Sequence, residues 1–337
     1  MNTILITGGL GYIGSHVAFE MSKSNFKIVL YDNCLNSDES VLNELKKMTS
    51  REIIYINGDI LDTPKLIKTF NQYKIDYVMH LAGLKSVPES NINPIAYYKN
   101  NISGSISLIE AMHKCNVKKL VFSSSASIYG DPEYLPIDEF HPVKPSSTYA
   151  FTKLYIENFL HDLSKKDDSW SIVALRYFNP AGSDSSGMIG ESPKNKPGNL
   201  IPAISYVALG KIKELQIFGE NYDTKDGTGV RDFIHITDLA KGHLAALDFI
   251  KKSMNGFNVF NLGSGEGNSV REIIYMYEKV LKRKIKTSIR DRRDGDIDSS
   301  IADPTKANKV LNWKTSSNLE DICRSEWLWQ SKRFYEK

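Results

Sequence analysis

The first half of the chain alternates short apolar runs with longer stretches whose apolar positions recur at helical spacing. The short runs are residues 3–7 (TILIT), 27–32 (KIVLYD), 52–56 (EIIYI), 76–82 (DYVMHLA), 119–125 (KLVFSSS) and 171–178 (SIVALRYF). They are apolar and partly continuous, as strands covered on both faces require. Between the last two of the first five, residues 93–115 (NPIAYYKNNISGSISLIEAMHKC) predict a helix with Pro94 in its first turn. Another helix begins near Tyr149. Strand–helix alternation of this kind predicts an α/β fold with a doubly wound parallel sheet.

After about residue 180 the pattern loosens. Residues 179–199 (NPAGSDSSGMIGESPKNKPGN) are rich in Gly, Ser and Pro and too long for a plain connection, which points to a binding loop. Helical patterns resume at about 199–210, 237–252, 269–283, 304–311 and 318–334. Ser269 with Glu272 reads as a capping box, and Asp303-Pro304 as a cap followed by a first-turn proline. The expected organisation is a doubly wound domain over 1–178 and a smaller mixed α/β domain over 179–337. Segments near 235–262 are expected to return to the first domain.

Composition narrows the partners. With 43 basic against 40 acidic residues in 337, and no basic stripe interleaved with aromatics, nucleic acid is a poor candidate. The locally basic 279–286 (KVLKRKIK) continues an amphipathic helix and reads as its solvated face. Cys34, Cys115 and Cys323 are odd in number, widely spaced and without C-x-x-C, so neither a disulfide framework nor a zinc site is expected. The histidines show no metal-ligand spacing, and no metal is expected. No apolar run approaches a membrane span of about 18 residues, and the opening MNTILITGG is too short for a signal peptide. The expectation is a reduced, soluble, cytoplasmic protein.

Candidate chemistry starts at residues 7–16 (TGGLGYIGSH), directly after the first strand. Gly8, Gly11 and Gly14 form G-x-x-G-x-x-G, which permits a tight turn and lets backbone N–H groups approach a pyrophosphate at a helix N-terminus. A glycine-rich turn without a ligand would look similar, but here a strand precedes, a helix follows and an acid ends the second strand. That acid is Asp32, 18 residues after Gly14. Its carboxylate suits ribose hydroxyls and would repel a 2′-phosphate, favouring NAD over NADP. Asp59, in NGDI, is placed to reach an adenine edge, or simply caps the next turn.

The second candidate is Tyr149 and Lys153, four residues apart in YAFTK and so on one helical face. Both groups ordinarily titrate near pH 10. A nearby ammonium, together with the positive charge of bound NAD, is expected to lower the tyrosine pKa toward neutrality, where general-base work is efficient. Alone, Y-x-x-x-K is common and more often means nothing. Ser125, ending the fifth strand at the carboxyl edge of the sheet where ligands of such folds bind, adds weight.

Glycine motif, strand-end serine and Y-x-x-x-K together resemble the extended short-chain dehydrogenase/reductase superfamily, built on a Rossmann domain. GYIGSH, LAGLKSVPES, RYFNPAGS, GTGVRDFIH and RRDGD, in that order, narrow the resemblance to the UDP-hexose 4-epimerases over residues 2 to 332. The resemblance implies an NAD-binding domain and a UDP-sugar-binding domain. Tyr12 and Ile13 would line the pyrophosphate turn; Asp32, Asn33, Asn36 and Ser37 would hold the adenosine, with Asp59 and Ile60 at the adenine. Leu81, Ala82, Gly83 and Lys85 would flank the cofactor, Asn100 would lie near it, and Tyr177 and Phe178 would approach the nicotinamide. Ser125, Tyr149 and Lys153 would be catalytic. Substrate contacts would come from Lys85, Ser125, Ser127, Tyr149, Asn179, Asn199, Leu200, Gln216, Phe218, Arg231, Arg293, Asp296 and Ser300. Arginine suits a diphosphate through bidentate bonds, although a surface ion pair is the alternative for each.

The implied reaction is transient oxidation at the sugar C4, rotation of the 4-keto sugar and hydride return. Two features depart from, or select within, the family. Between Tyr149 and Lys153 stands AFT where the family often has Gly-Lys-Ser. The gatekeeper position falls on Ser300, whereas members restricted to glucose and galactose carry a tyrosine. Serine leaves room at C2, so UDP-GlcNAc and UDP-GalNAc are expected substrates beside UDP-glucose and UDP-galactose. The alternatives are an epimerase restricted to the plain hexoses, or a 4,6-dehydratase. The latter needs carboxylates just after the strand-end serine, and Ala126 and Ser127 stand there. The resemblance also implies a homodimer through the helices near 94–115 and 147–166.

Overall fold

The N-terminal apolar run forms β1 (Asn2–Thr7), buried from Thr3 onward. The structure, a computed structural model, describes residues 1–192, 197–252, 255–293 and 295–335; residues 193–196 of the expected binding loop lie outside them. The other strands of the first half are β2 (Phe26–Asp32), β3 (Ile53–Asn57), β4 (Tyr77–His80), β5 (Lys119–Ser125) and β6 (Ser171–Tyr177). They are followed by β7 (Asn179–Ala181), β8 (Leu215–Phe218), β9 (Val230–His235), β10 (Gly256–Leu262), β11 (Gly267–Ser269), β12 (Thr287–Arg290) and β13 (Ser299–Ser300). Helices of the first half are α1 (Tyr12–Ser22), α2 (Ser40–Met48), α3 (Thr63–Tyr73), α4 (Val87–Ile92), α5 (Pro94–Tyr97), α6 (Gly104–Lys114) and α7 (Thr148–Lys166). The second half adds α8 (Leu200–Ala208), α9 (Ile236–Lys251), α10 (Val270–Leu281), α11 (Thr305–Val310) and α12 (Leu319–Tyr335).

The chain divides into two units. The first comprises residues 1–128, 145–176 and 240–260. Its seven-stranded sheet has the order β10-β6-β5-β4-β1-β2-β3, and β1 pairs in parallel with both β2 and β4. Strand order therefore reverses between β1 and β4, the point at which doubly wound sheets bind ligands beyond the strand carboxyl ends. One sheet face is covered by α3, α6 and α7 through Leu66, Phe70, Leu108, Met112, Ile156 and Leu160, all buried with Trp170. Each such side chain contributes about 1.5–3 kcal/mol on burial.

The helix expected over 93–115 is broken. Asn93 ends α4 and its side chain accepts from Ala96 N at the start of α5, where Pro94 occupies the first turn. A π-helical turn (Tyr98–Ser103) then precedes α6. A π turn inserts an extra residue and marks a local demand that an α-helix cannot meet. Here it brings the buried Asn101 side chain onto the β4–α4 loop, accepting from Leu84 N at 2.8 Å and donating to Leu84 O at 3.0 Å.

The second unit comprises residues 129–144, 177–239 and 261–337. β9 is its hub. It pairs antiparallel with β11 and parallel with β13 and β7, while β8 and β12 form a separate parallel pair. Ile201, Ile204, Leu215, Ile217, Ile273, Tyr277 and Ile322 form its core. The Ser269–Glu272 capping box opens α10 with both reciprocal bonds. Asp303 accepts from Thr305 N at 2.9 Å, but α11 starts at Thr305, so Pro304 sits just before the first turn rather than in it. No helix among the described residues is long and apolar enough to cross a membrane.

Candidate active site

Two glycines shape the turn after β1. Gly8 has φ +68, and a Cβ there would lie 2.7 Å from Ala82 N; a Cβ on Gly14 would lie 2.1 Å from Gly8 O. Only glycine lets the turn close against the β4–α4 loop and lets α1 pack on the strand. Gly11 is the extended N-cap of α1, and no side chain caps that end. The helix thus points its positive pole at the switch point. Tyr12 and Ile13 open its first turn, with the Lys85 ammonium 5.8 Å from the Tyr12 ring centre.

Asp32, ending β2, ties this turn to the next loop. Its carboxylate accepts from Leu10 N at 3.1 Å, Cys34 N at 2.8 Å and the Ser37 hydroxyl at 2.8 Å. Asn33 donates to Asp59 at 3.1 Å, whose other oxygen accepts from Leu61 N at 2.9 Å. Asp59 thus caps the turn at Leu61 and also holds Asn33. Ile60 is buried beside it, whereas Asn36 stays exposed. Leu81 N and Ala82 N bond Thr7, and Asn100 donates to Asn101 at 3.0 Å. Asn101 holds this loop and was not legible as a site residue. An open helix N-terminus, a buried acceptor carboxylate one strand away and no arginine among residues 32–37 are the donor set that fits NAD.

The catalytic candidates meet where α7 faces the end of β5. Ser147 caps α7 by accepting from Ala150 N at 3.2 Å, and Tyr149 N donates to Ser90 at 3.1 Å. Lys153 lies one turn on, its Nζ 5.8 Å from the Tyr149 ring centre and donating to Ser123 O at 2.7 Å. The Ser125 hydroxyl hydrogen-bonds the Tyr149 phenol and accepts from Ser127 Oγ at 2.9 Å. Thr152, in the AFT segment that departs from the family, donates to Tyr149 O at 2.7 Å and accepts from Asn101 Nδ2 at 3.1 Å.

Electrostatics in the protein without cofactor run against the tyrosine's expected direction. Burial pushes the Tyr149 phenol up to about 12, against the pull of the Ser125 bond. Burial also brings Lys153 down to about 8, with Glu157 opposing. Without the cofactor, desolvation thus makes the phenol less acidic and outweighs the Ser125 bond. His80, buried between Thr7 (2.7 Å) and Ser105 (2.8 Å), is lowered by burial and then by Lys153 to about 3 and stays neutral.

In the second unit, Arg231 on β9 donates to Val230 O at 2.9 Å and stands 3.7 Å from Asp296. Burial lowers its pKa and Asp296 opposes that. Tyr222 donates to Asp296 at 3.2 Å, and the Arg292 guanidinium lies 4.1 Å from the Tyr222 ring centre. Arg293 stacks 3.8 Å from the centre of Phe218, which shares a strand face with Gln216. Asn199, preceding Leu200 at the start of α8, donates to Glu191 at 2.9 Å. Ser300 is buried on β13 in register with Arg231. Asn179 opens β7, and Tyr177 and Phe178 are buried. Tyr222, Arg292 and Glu191 went unread; the charged run around RRDGD was the available signal for the arginine.

Lys153 is a stability liability with a defined pH dependence. Its folded pKa lies below the unfolded 10.5. Below pH 8 both states hold the proton and the folded state bears the full cost, on the order of 3 kcal/mol. From about 8 to 10.5 only the unfolded chain holds it, so stability rises with pH. Lys153→Met is therefore expected to be about 2 kcal/mol more stable at pH 7, allowing for the lost bond to Ser123. The gain should shrink between pH 8 and 9.5 in denaturant titrations; a gain constant with pH would contradict this.

Comparison with known proteins agrees with this geometry. Residues 4–263 match the NAD dependent epimerase/dehydratase family. UDP-glucose 4-epimerase of Bacillus subtilis is 46% identical over 328 residues, covering 97% of this chain and 96% of its own. The crystal structure of UDP-glucose 4-epimerase from Bifidobacterium longum in complex with NAD+ and UDP superposes with TM-score 0.95 at 44% identity over 98% of both chains. The UDP-Glc/GlcNAc 4-epimerase from Campylobacter jejuni superposes with TM-score 0.86 at 36% identity, over 98% of this chain and 100% of that one. With a Rossmann unit, an NAD-type donor set and relatives of this similarity along its whole length, the chain belongs to the NAD dependent epimerase/dehydratase family, among its UDP-glucose 4-epimerases.

Proposed function

We propose that the protein interconverts UDP-glucose and UDP-galactose, and UDP-GlcNAc and UDP-GalNAc, by inversion at C4. The observation that carries the reading is the Ser125–Tyr149–Lys153 set where α7 meets the carboxyl end of β5, with Lys153 buried and Ser125 and Tyr149 half-buried. NAD, when bound, supplies the acceptor for a hydride from C4 and returns it. Tyr149 takes the proton of the sugar 4-hydroxyl and later gives it back, and Ser125 bridges that hydroxyl to the phenol. A phenol sitting at about 12 needs positive charge to act near neutrality. Lys153 supplies one such charge and the oxidised cofactor a second.

The second unit would take the uridine diphosphate. Arg231 and Arg293, each held by neighbours, suit a diphosphate, with Asp296, Asn199 and Leu200 as further contacts. Ser300 is the support for N-acetylated sugars: a small side chain on β13 at the register position of Arg231. The Campylobacter neighbour, named as a UDP-Glc/GlcNAc 4-epimerase, is consistent with it.

A homodimer is the proposed assembly. Ile92, Ile95, Tyr98 and Ile106 from α4 to α6, and Phe151, Tyr155 and Phe159 on α7, are all exposed in the single chain. Such an apolar patch on neighbouring helices is what a second copy would cover.

Tyr149→Phe is expected to lower kcat by about 10³-fold, measured by product separation from UDP-glucose; near-normal turnover would refute the reading. Ser300→Tyr is expected to keep UDP-galactose turnover within about threefold while losing about 10²-fold on UDP-GlcNAc. Equal retention of both would remove the gate. Ile95→Glu with Tyr155→Glu should halve the mass seen by sedimentation equilibrium, and an unchanged mass would place the interface elsewhere.

A further inference from the structure

On α7 the stripe that carries Tyr149 and Lys153 continues to Glu157, at i, i+4 and i+8. Glu157 is buried and touches neither the phenol nor any expected cofactor or substrate position. Arg176 on β6 clamps it with two bonds, Nε at 3.1 Å and Nη2 at 2.7 Å, and the Ser124 hydroxyl donates to the same carboxylate. Arg176 is itself buried.

We infer that Glu157 is a positioning residue that keeps the Lys153 side chain charged, and that Ser124 and Arg176 serve to hold the Glu157 carboxylate in place one turn along the helix. The inference rests on the proposed epimerase reading for its consequence, but not for the coupling itself.

Among the described residues, Glu157 is the carboxylate that acts on Lys153. From α7 itself Lys153 faces Tyr149 and Glu157. β5 presents the Ser123 carbonyl at 2.7 Å and the Phe122 ring at 5.0 Å, β4 presents the neutral His80, and β6 presents Arg176 only beyond Glu157. An amine so enclosed tends to shed its proton, and the Glu157 carboxylate one helical turn away opposes that at Lys153. A buried ion pair is not needed for stability alone, since apolar replacements of such pairs are often neutral. Its placement one turn below the lysine is what the inference explains.

The test is Glu157→Gln, followed by two measurements on the purified protein with NAD added. Lys153 is titrated by NMR on lysine-labelled protein, its signal identified by its loss in Lys153→Met. The expected result is titration at lower pH than in the parent. Epimerisation is then followed against pH: below about pH 6.5 both lysines are charged and rates should agree, whereas by pH 8.5 the variant should fall behind about tenfold. A purely structural role would give a loss equal at all pH values with an unmoved Lys153 signal, and that result overturns the inference. Should the stranded guanidinium unfold the single variant, Glu157→Gln with Arg176→Met removes it and carries the same measurements. A moved lysine signal with an unmoved pH–rate profile supports the coupling and counts instead against use of the lysine charge in the proposed reaction.

Discussion

A lysine inside the fold, 4% exposed, has few ways of keeping its proton. Much of the first unit around α7 can be understood as the set of constraints that this one residue imposes. Its ammonium needs an acceptor, and β5 supplies the Ser123 carbonyl at the point where the strand ends. It needs a fixed height on the helix, and the Ser147 cap with the Ser90 anchor on Tyr149 N fixes the first turn. The same desolvation that lowers the lysine raises the phenol beside it.

The neighbouring β1–β4 switch point is organised by neutral polar groups. His80 joins Thr7 at the end of β1 to Ser105 on α6, and Ser105 in turn donates to Asn101 O in the π turn at 2.5 Å. Asn101 closes the circuit through Leu84 and Thr152, which reaches the Tyr149 carbonyl. A buried histidine next to a buried lysine must be neutral, and a neutral imidazole offers one donor and one acceptor, which the two hydroxyls match. Fully satisfied buried networks rigidify what they touch. Here that is the glycine turn, the β4–α4 loop and the first turn of α7 together.

Much of this was legible from periodicity. The six strands of the first half fell within a few residues of their expected places because parallel, doubly covered strands are continuous apolar runs. The strands of the second unit were not legible: β7, β11 and β13 span three residues or fewer, and β8 and β9 are only half buried, so no run or alternation is long enough to register. The π turn escaped because its cause is tertiary. YYKNNIS reads as ordinary helix, and only the Leu84 and Thr152 contacts of Asn101 explain the extra residue. For the same reason Tyr149, Lys153 and Ser125 could be named from spacing while the direction of the tyrosine shift could not. Burial depth is not written in a motif, and it was burial that decided the sign.

The second unit handles charge by a different route. Arg231 and Asp296 stand 3.7 Å apart, too far for a hydrogen bond, so this pair is held by charge alone. Asp296 is meanwhile committed to Tyr222, and Arg292 lies over that ring and 2.9 Å from Asp298. A guanidinium held in part by a backbone carbonyl and a loose carboxylate is already desolvated and oriented, yet its fork has not been matched by a bidentate partner. Under the proposed function, a diphosphate would meet cations whose ordering cost was met on folding, so more of the contact energy would remain for binding. The first unit sets a buried lysine against a backbone carbonyl, while the second holds its arginines against rings, carbonyls and carboxylates at looser spacing.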